Sequence, residues 1–149
     1  MPDPFDEDGK LKPNVRYDAG EFNYHYETDD LGRICHWDTE NLQLTEREGR
    51  LPHDRFPPGK IPFIDHAGHL AGDRFGGSNH LDNIVAQAAI VNLSSYKKLE
   101  NKWAKKIKAG KQVTVYVDVL YRGDNMRPTG FAVVYTINGE EFEKNIPNY

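Results

Sequence analysis

The sequence contains a single cysteine, Cys35, among its 149 residues. One thiol cannot form an intramolecular disulfide or build a zinc site with other thiolates, so the fold must be held by its core. No apolar run approaches the ~20 residues that a membrane-spanning helix needs, and no membrane partner is expected. The N-terminal residues 1–8 are acidic and have no apolar signal-peptide core. Export would therefore need another route or a removed N-terminal region.

Basic residues are a minority overall, because 19 Lys and Arg stand against 23 Asp and Glu, for a formal net charge of −4. That balance is unlike a general polyanion binder. The charge is unevenly distributed along the chain. Residues 1–50 carry 6 Lys and Arg and 13 Asp and Glu, a net charge of −7. Residues 93–111 carry 7 Lys and one Glu, a net charge of +6, so the acidic average does not describe this segment.

The spacing of apolar residues predicts an α+β fold in which antiparallel strands pack around one dominant helix. We expect residues 1–13 to be a flexible acidic N-terminus and residues 14–149 to form a single domain. Strands are expected over residues 22–26, 34–38, 42–44, 61–65, 113–121, 131–137 and 140–146. The Asn138-Gly139 dipeptide is typical of a two-residue turn between the last two strands.

The clearest helix is predicted over residues 93–109, where apolar residues recur at steps of three and four. The stripe expected to face the core consists of Leu93, Tyr96, Leu99, Trp103 and Ile107. Asn92 fits the position of an N-cap, and Gly110 fits a C-terminal stop. Most of the lysines fall on the other face, which is usually a solvated surface.

Polar side chains interrupt apolar sequence in the segment that leads into this helix. His66 and His69 flank a small Ala-Gly pair directly after a predicted strand. Asn83, Gln87 and Asn92 then punctuate an otherwise apolar stretch. A buried amide is costly unless it is hydrogen-bonded, so these three amides indicate a fixed polar role.

The same side chains can supply the parts of a metal-assisted phosphodiester hydrolase. Such an enzyme needs a neutral histidine to take a proton from water. It also needs an oxygen ligand for a hard cation such as Mg²⁺, and cationic groups for the phosphate. His69, Asn92 and nearby Arg or Lys residues fit these needs.

At these positions the chain resembles the DNA/RNA non-specific endonucleases of the ββα-metal (His-Me finger) class. More narrowly, it is similar to the toxin domains at the C-termini of bacterial polymorphic toxins, including LXG-type toxins. The resemblance extends over most of the chain. Its motifs are Asp65-His66-Ala67-Gly68-His69-Leu70, Phe75-Gly76-Gly77, Leu81-Asp82-Asn83-Ile84-Val85-Ala86-Gln87, Asn92 and Tyr96-Lys97-Lys98-Leu99-Glu100-Asn101.

The resemblance implies a role for each matching residue in a ββα-metal core at about residues 61–110. His69 matches the general base, and Asn92 matches the side chain that holds one divalent ion, Mg²⁺ or Mn²⁺. Asn83 is expected to orient the site, and Glu100 matches a helix carboxylate near the waters of the metal. The implied reaction is direct attack of water on phosphorus, which leaves 5′-phosphate ends.

One departure from the family pattern concerns the phosphate. The broader family carries Asp-Arg before Gly-His, where this chain has His66-Ala67, so the usual arginine is missing. The candidate replacements for phosphate binding are Arg74, Lys97 and Lys98. His66 and Gln87 are expected to contact the catalytic residues and hold them in position.

The function predicted from these residues is a metal-dependent, sequence-nonspecific nuclease, with DNA as the preferred substrate and RNA as the alternative. The family further implies the toxic effector domain of a secreted bacterial toxin. Such a domain would act in the cytoplasm of a target cell in interbacterial competition, and a cognate immunity protein would neutralise it in the producer. The rival prediction is a catalytically silent protein-binding module, which the acidic N-terminal third favours.

The candidate residues also have structural alternatives. Asn92 could serve only as a helix cap, and Asn83 and Gln87 could satisfy loop backbone groups. Glu100 could form only surface ion pairs on the helix. A zinc site is a further alternative, although the loop is irregular and no cysteine pair is present. Its four ligands would be His66, His69, Asp73 and His80.

Overall fold

A computed structural model describes residues 3–47, 49 and 52–149. The described residues form an α+β structure with mostly antiparallel strands and one main helix, as the sequence predicts. The strands are β1 (Arg16–Ala19), β2 (Tyr24–Thr28), β3 (Ile34–Thr39), β4 (Asp65–His69), β5 (Ile84–Ala88), β6 (Val113–Leu120), β7 (Gly130–Ile137) and β8 (Glu140–Pro147). The helical elements are a 3₁₀ turn (Asp73–Phe75), a π-helical turn (Val91–Ser95) and α1 (Tyr96–Lys108).

Six of the strands form one antiparallel sheet in the order β1-β2-β3-β6-β7-β8, and β4 and β5 form a separate antiparallel hairpin. The two halves of the large sheet meet where β3 pairs with β6, from His36 opposite Asp118 to Thr39 opposite Val115. The chain segment between β3 and β6 therefore leaves the sheet, forms the hairpin and α1, and returns. Because the hairpin and α1 fall in this one excursion, the polar motifs of the sequence come together in space.

The core lies between the large sheet and α1. Alternate residues of β6 are buried, and full burial of one such valine contributes about 1.5–3 kcal/mol. They are Val113, Val115, Val117 and Val119. On α1, Tyr96 packs edge-on against Phe131 with ring centroids 5.7 Å apart. Trp103 packs edge-on against Tyr135, also at 5.7 Å, so α1 lies against β7.

Two predicted strands are absent from the part of the chain that the structure describes. Leu42 donates a backbone hydrogen bond to Val113, but residues 43–46 bond to a side chain and a loop and not to a strand. Residues 61–64 form a turn in which the N–H groups of Ile64 and Asp65 both donate to the Ile61 carbonyl. The strand after this turn begins at Asp65. In both cases a short apolar run forms a loop or turn. Periodicity alone does not distinguish such a run from a strand.

The start of the main helix also differs from the prediction. Asn92 lies inside the π-helical turn, and neither Ile90 nor Ser95 makes a side-chain capping bond, so the prediction of Asn92 as N-cap is wrong. Leu93 is 62% exposed and is not part of the core. The predicted stop is confirmed, because Gly110 has φ +82° directly after the helix. The π turn moves residues 91–95 out of the 3.6-residue periodicity of α1.

The acidic N-terminal segment folds back on itself within the described residues. Phe5 and Leu11 form an isolated antiparallel bridge, and the Lys12 N–H donates to the Pro4 carbonyl at 2.8 Å. The Thr28 hydroxyl donates to the Lys12 carbonyl at 2.7 Å, which attaches the segment to β2. The flexibility of residues 1–13 and the domain boundary at residue 14 stay predictions. Among the described residues, no helix is long and apolar enough to span a bilayer.

Candidate active site

The β4–β5 hairpin and the start of the helical segment bring the predicted site residues together. In the register of the hairpin, His66 lies opposite Gln87, and Gly68 lies opposite Val85. A Cβ atom at Gly68 would come within 2.7 Å of the Gln87 Cβ, so a larger residue at this position would displace Gln87. The small residue before His69 is therefore required by packing across the hairpin.

A cleft of about 620 Å³ opens where the end of β4 meets the π-helical turn and α1. Five of the nine predicted site residues line it, namely His69, Arg74, Asn92, Lys97 and Glu100. A separate cavity of about 530 Å³ contains none of them; its lining includes Leu11, Tyr121 and Met126. Most of the predicted site residues therefore lie at the first cleft.

His69 lies at the end of β4 on the wall of the cleft. Its Nε2 atom is 2.9 Å from Oδ1 of Asn79, and its ring lies 5.1 Å from the ring of His53. An amide oxygen only accepts hydrogen bonds, so Nε2 carries the proton in this arrangement. In the neutral ring, Nδ1 is then the nitrogen with the basic lone pair. Asn79 was not recognised from the sequence, because no periodicity links it to His69.

Asn92 is connected to the hairpin through His66. The Asn92 Nδ2 group lies 3.0 Å from Nδ1 of His66, and because an amide nitrogen only donates, the imidazole nitrogen accepts. This bond uses the nitrogen end of the amide. The oxygen end, Oδ1, is the part of Asn92 with the chemistry of a metal ligand.

Asn83 is fully buried behind the cleft and is not part of its lining. Its Oδ1 accepts from the Ala71 N–H at 2.9 Å and from the Tyr26 hydroxyl at 2.6 Å. Its Nδ2 donates to the carbonyls of Ala71 and Ser78, both at 2.8 Å. All of these bonds hold the loop between β4 and β5, which follows His69 directly, and the role of Asn83 in orienting the site stays a prediction.

Buried tyrosines fix the same loop from the side of the large sheet and α1. The hydroxyl of Tyr24 donates to the Phe75 carbonyl at 2.6 Å, and that of Tyr96 donates to the Leu70 carbonyl at 2.7 Å. Burial raises the pKa of Tyr24 to about 12 and that of Tyr96 well above its ordinary value. Both side chains therefore remain neutral donors at physiological pH.

Gln87 differs from the other buried amides. Its side chain is fully buried, and neither Nε2 nor Oε1 has a hydrogen-bond partner among the described residues. The alternative in which Gln87 satisfies loop backbone groups is therefore wrong. Two orphaned amide atoms in the hairpin that carries His66 and His69 are costly for stability, and the supporting role of Gln87 in the site stays a prediction.

Glu100 reaches the cleft from the second turn of α1. Its carboxylate occupies the space beside Gly72, where a Cβ atom would collide with Oε2. The carboxylate is also near Tyr96, whose pKa is raised by burial first and by the Glu100 charge second. Glu100 is thus directed at the loop after β4, and its role near the waters of a metal ion stays a prediction.

Cationic side chains line the cleft, although not all are those expected. Arg74 and Lys97 contribute to the lining, whereas Lys98 is exposed elsewhere on the helix. Arg47 and Lys108, which were not predicted from the sequence, also line the cleft. Lys108 follows Lys97 by about three helical turns, so helical periodicity could have identified it. Arg47 pairs with Asp73 at 2.8 Å, a long-range contact that leaves no signal in the sequence.

The zinc alternative is wrong for the part of the chain that the structure describes. No group of three or more His, Cys, Asp or Glu side chains there is arranged to hold a metal ion. The residues required for it are engaged separately. Asp73 pairs with Arg47, and His66 bonds to Asn92.

Known proteins with a similar sequence or fold identify the family of the chain. Residues 13–139 match the DNA/RNA non-specific endonuclease family, so the chain belongs to this family. It is 36% identical over 147 residues to the type VII secretion system protein EssD of Staphylococcus aureus strain USA300. The same identity holds for EssD of strain NCTC 8325 / PS 47. The match covers 93% of this chain but only 24% of each relative, so the chain spans about a quarter of their length.

Solved structures with the same fold come from a second organism. The chain resembles NucA from Streptococcus agalactiae with magnesium ion bound, with a TM-score of 0.68 and 20% identity. That match covers 93% of this chain and 76% of the other. NucA with no metal bound gives a TM-score of 0.63 at 20% identity, over 93% of this chain and 74% of the other. At this identity the likeness shows the ββα-metal fold.

Proposed function

We propose that the cleft at His69 and Asn92 is the active site of a Mg²⁺-dependent nuclease that cleaves DNA, and RNA as a second substrate, without sequence preference. The observation that carries the proposal is the convergence of one imidazole, one amide oxygen, two carboxylates and several cations among the described residues of a single cleft. These groups are the parts that phosphodiester hydrolysis requires.

His69 acts as the general base. The bond from Nε2 to Asn79 keeps the proton on that nitrogen, so Nδ1 is the nitrogen that takes a proton from the attacking water. The water oxygen forms the new bond to phosphorus as its proton passes to His69. The bond from phosphorus to the 3′ oxygen breaks, which leaves a 5′ phosphate on the other product.

Asn92 and Glu100 are the residues that would hold a divalent ion and its waters. The donor set fits Mg²⁺, because amide and carboxylate oxygens are hard ligands and the ion keeps most of its own waters in such sites. The use of Nδ2 by His66 leaves the amide oxygen as the ligating end. When bound, the ion would stabilise negative charge on the leaving oxygen.

Arg47, Arg74, Lys97 and Lys108 are the phosphate-binding groups, in place of the arginine that the broader family carries before Gly-His. This assignment is supported by the position of all four side chains in the lining of the cleft. A protein with an acidic average charge can attract nucleic acid if its cations are concentrated at the site, because local potential and not net charge governs approach.

At the level of the organism, the chain acts as the nuclease domain of a secreted bacterial effector that kills competing bacteria. Support comes from its similarity to one quarter of EssD, whose name places it in a type VII secretion system. The domain acts in the target-cell cytoplasm and is neutralised by an immunity protein in the producer. The acidic surface of residues 1–50 is the candidate contact for that partner.

A plasmid-nicking assay with Mg²⁺ tests the nuclease proposal. The parent should nick supercoiled DNA and lose this activity in EDTA, and His69→Ala should be inactive. His80→Ala is the matched control, because His80 has a side-chain exposure of 75% and does not line the cleft. If His69→Ala and the parent behave alike on both DNA and RNA, the silent-module alternative is favoured and the proposed active site is wrong.

A further inference from the structure

Four large apolar side chains are exposed in the turn before β4 and around the start of the π-helical turn. Phe63 has a relative exposure of 106%, that of a side chain with no neighbours, and Ile64 has 52%. Ile90 and Leu93, on either side of Asn92, are 64% and 62% exposed. We call these four residues the apolar rim.

The turn that contains Phe63 is held at its base by a buried ion pair. Asp65, at its base, accepts the Ile61 N–H at 2.9 Å and pairs with Arg127 through two bonds of 2.7 Å. Burial alone would raise the pKa of Asp65, but the guanidinium and the N–H hold it below its ordinary value. The carboxylate side chain is 0% exposed, so the ion pair is a buried anchor.

The backbone of Phe63 is strained. Its φ angle is +67°, a left-handed conformation that bulky residues rarely adopt. Strained residues of this kind persist where surrounding structure imposes them, and they concentrate at ligand-binding sites. The ring of Phe63 is fully exposed, so no packing of the side chain offsets this strain.

The apolar rim continues into the cleft. Ile64 extends the hairpin, because its carbonyl accepts the Ala89 N–H at 2.9 Å, and this brings the turn beside the start of the π-helical segment. Leu93 belongs both to the apolar rim and to the lining of the cleft. The same cleft is lined by cations, among them Arg74 and Lys97. Apolar and cationic groups therefore meet at Leu93, in the lining of the cleft.

We propose that the apolar rim binds unpaired nucleobases, with Phe63 as a stacking platform, while the cations of the cleft bind the phosphates of the same strand. Aromatic stacking and backbone cations are the combination by which proteins bind single strands without sequence preference. In an intact duplex the bases are stacked inside, so their faces cannot reach Phe63. The enzyme should therefore favour single-stranded or locally unpaired nucleic acid. This inference rests on the proposed function of the cleft.

Binding to matched oligonucleotides tests the apolar rim. The inactive His69→Ala protein is titrated, by fluorescence anisotropy, into a labelled single strand and into the same sequence as a duplex. Adding Phe63→Ala should weaken single-strand binding by roughly tenfold and change duplex binding less than twofold. Phe63→Trp should retain single-strand affinity. Leu120→Ala is the control, because Leu120 is 47% exposed but lies on β6 and outside the cleft lining.

The inference is overturned if Phe63→Ala leaves single-strand affinity unchanged, or weakens both substrates equally. In the first case the exposed side chains would fit a protein partner instead. Failure of the cleft itself gives a different result. If Arg74→Glu combined with Lys97→Glu leaves binding of both oligonucleotides intact, the nucleic acid binds elsewhere and the apolar rim has no role in holding it.

Discussion

Nδ2 of Asn92 donates a hydrogen bond of 3.0 Å to Nδ1 of His66. This bond determines which end of the Asn92 amide is left for a metal ion. It also joins the π-helical turn to β4, so the candidate ligand and the candidate base are held on connected elements. The acceptor at position 66 is an imidazole, where the broader family has a carboxylate. Both groups can accept a hydrogen bond from an amide N–H.

Removal of this acceptor should weaken metal binding without unfolding the protein. His66→Leu should raise the dissociation constant of Mn²⁺ by about 10-fold or more, the usual effect of losing a residue that orients a ligand. His66→Asp keeps an acceptor and should bind Mn²⁺ nearly as the parent does. Electron paramagnetic resonance titration of free Mn²⁺ measures both. Parent-like Mn²⁺ binding by His66→Leu would show that the bond does not position Asn92.

Asn92→Ala should abolish most nuclease activity and cost little stability. Because Asn92 does not cap the helix, its removal loses one partly buried hydrogen bond, or about 1 kcal/mol. Urea unfolding and plasmid nicking on the same preparation separate the two effects. A variant that unfolds readily yet keeps its specific activity would mean that Asn92 has only a structural role.

Asn83 should be far more important for stability than Asn92. Its amide is fully buried and bonds to Ala71, Ser78 and Tyr26. Asn83→Leu should therefore lower the free energy of unfolding by about 3 kcal/mol, since it orphans several buried groups. Tyr26→Phe removes a single bond and should cost about 1 kcal/mol. If Asn83→Leu were as stable as Tyr26→Phe, the loop would not depend on these bonds.

His36 should make stability depend on pH. It lies 2.7 Å from Asp38 and 2.8 Å from Asp118, and its ring is 6.4 Å from that of His25. Burial lowers the pKa of His36, but the two carboxylates outweigh this and raise it above its ordinary value. A raised pKa in the folded state gives stability below the unfolded pKa, and that stability is lost as pH rises through the folded value.

His36→Gln should therefore reduce the free energy of unfolding at about pH 6 by up to ~1 kcal/mol, and much less at about pH 9. Urea denaturation at both values measures the difference. His80→Gln provides the comparison, because His80 is far more exposed and its nearest carboxylate, on Asp54, is 3.8 Å away. If His36→Gln lost the same free energy of unfolding at both pH values, the assignment of an ion pair to His36 would be contradicted.

Much of the sheet was predictable because its strands alternate cleanly. Val113 to Val119 follow the period of a strand with one buried face, and Asn138-Gly139 forms the expected turn with φ +49° and +86°. The residues that line the cleft were also recognisable where they belong to a family motif, as His69 and Glu100 do. Motif residues are fixed by chemistry, which the sequence displays directly.

The missed features depend on contacts between distant segments. Ile61 and Phe63 are apolar and were expected in a strand, but the Asp65–Arg127 ion pair supports a turn there. Leu93 was placed in the core because periodicity does not reveal a π turn. Arg47 reaches the cleft through a pairing across 26 residues of sequence. No local pattern carries such information.

The measurement that tests the central claim most directly is chemical rescue of a variant without the imidazole at position 69. His69→Gly should be folded and inactive on DNA and RNA in Mg²⁺. Added imidazole should restore Mg²⁺-dependent cleavage, with 5′-phosphate ends, because the free base occupies the space of the missing side chain. The account would be contradicted if His69→Gly cleaved as the parent does, with no response to imidazole.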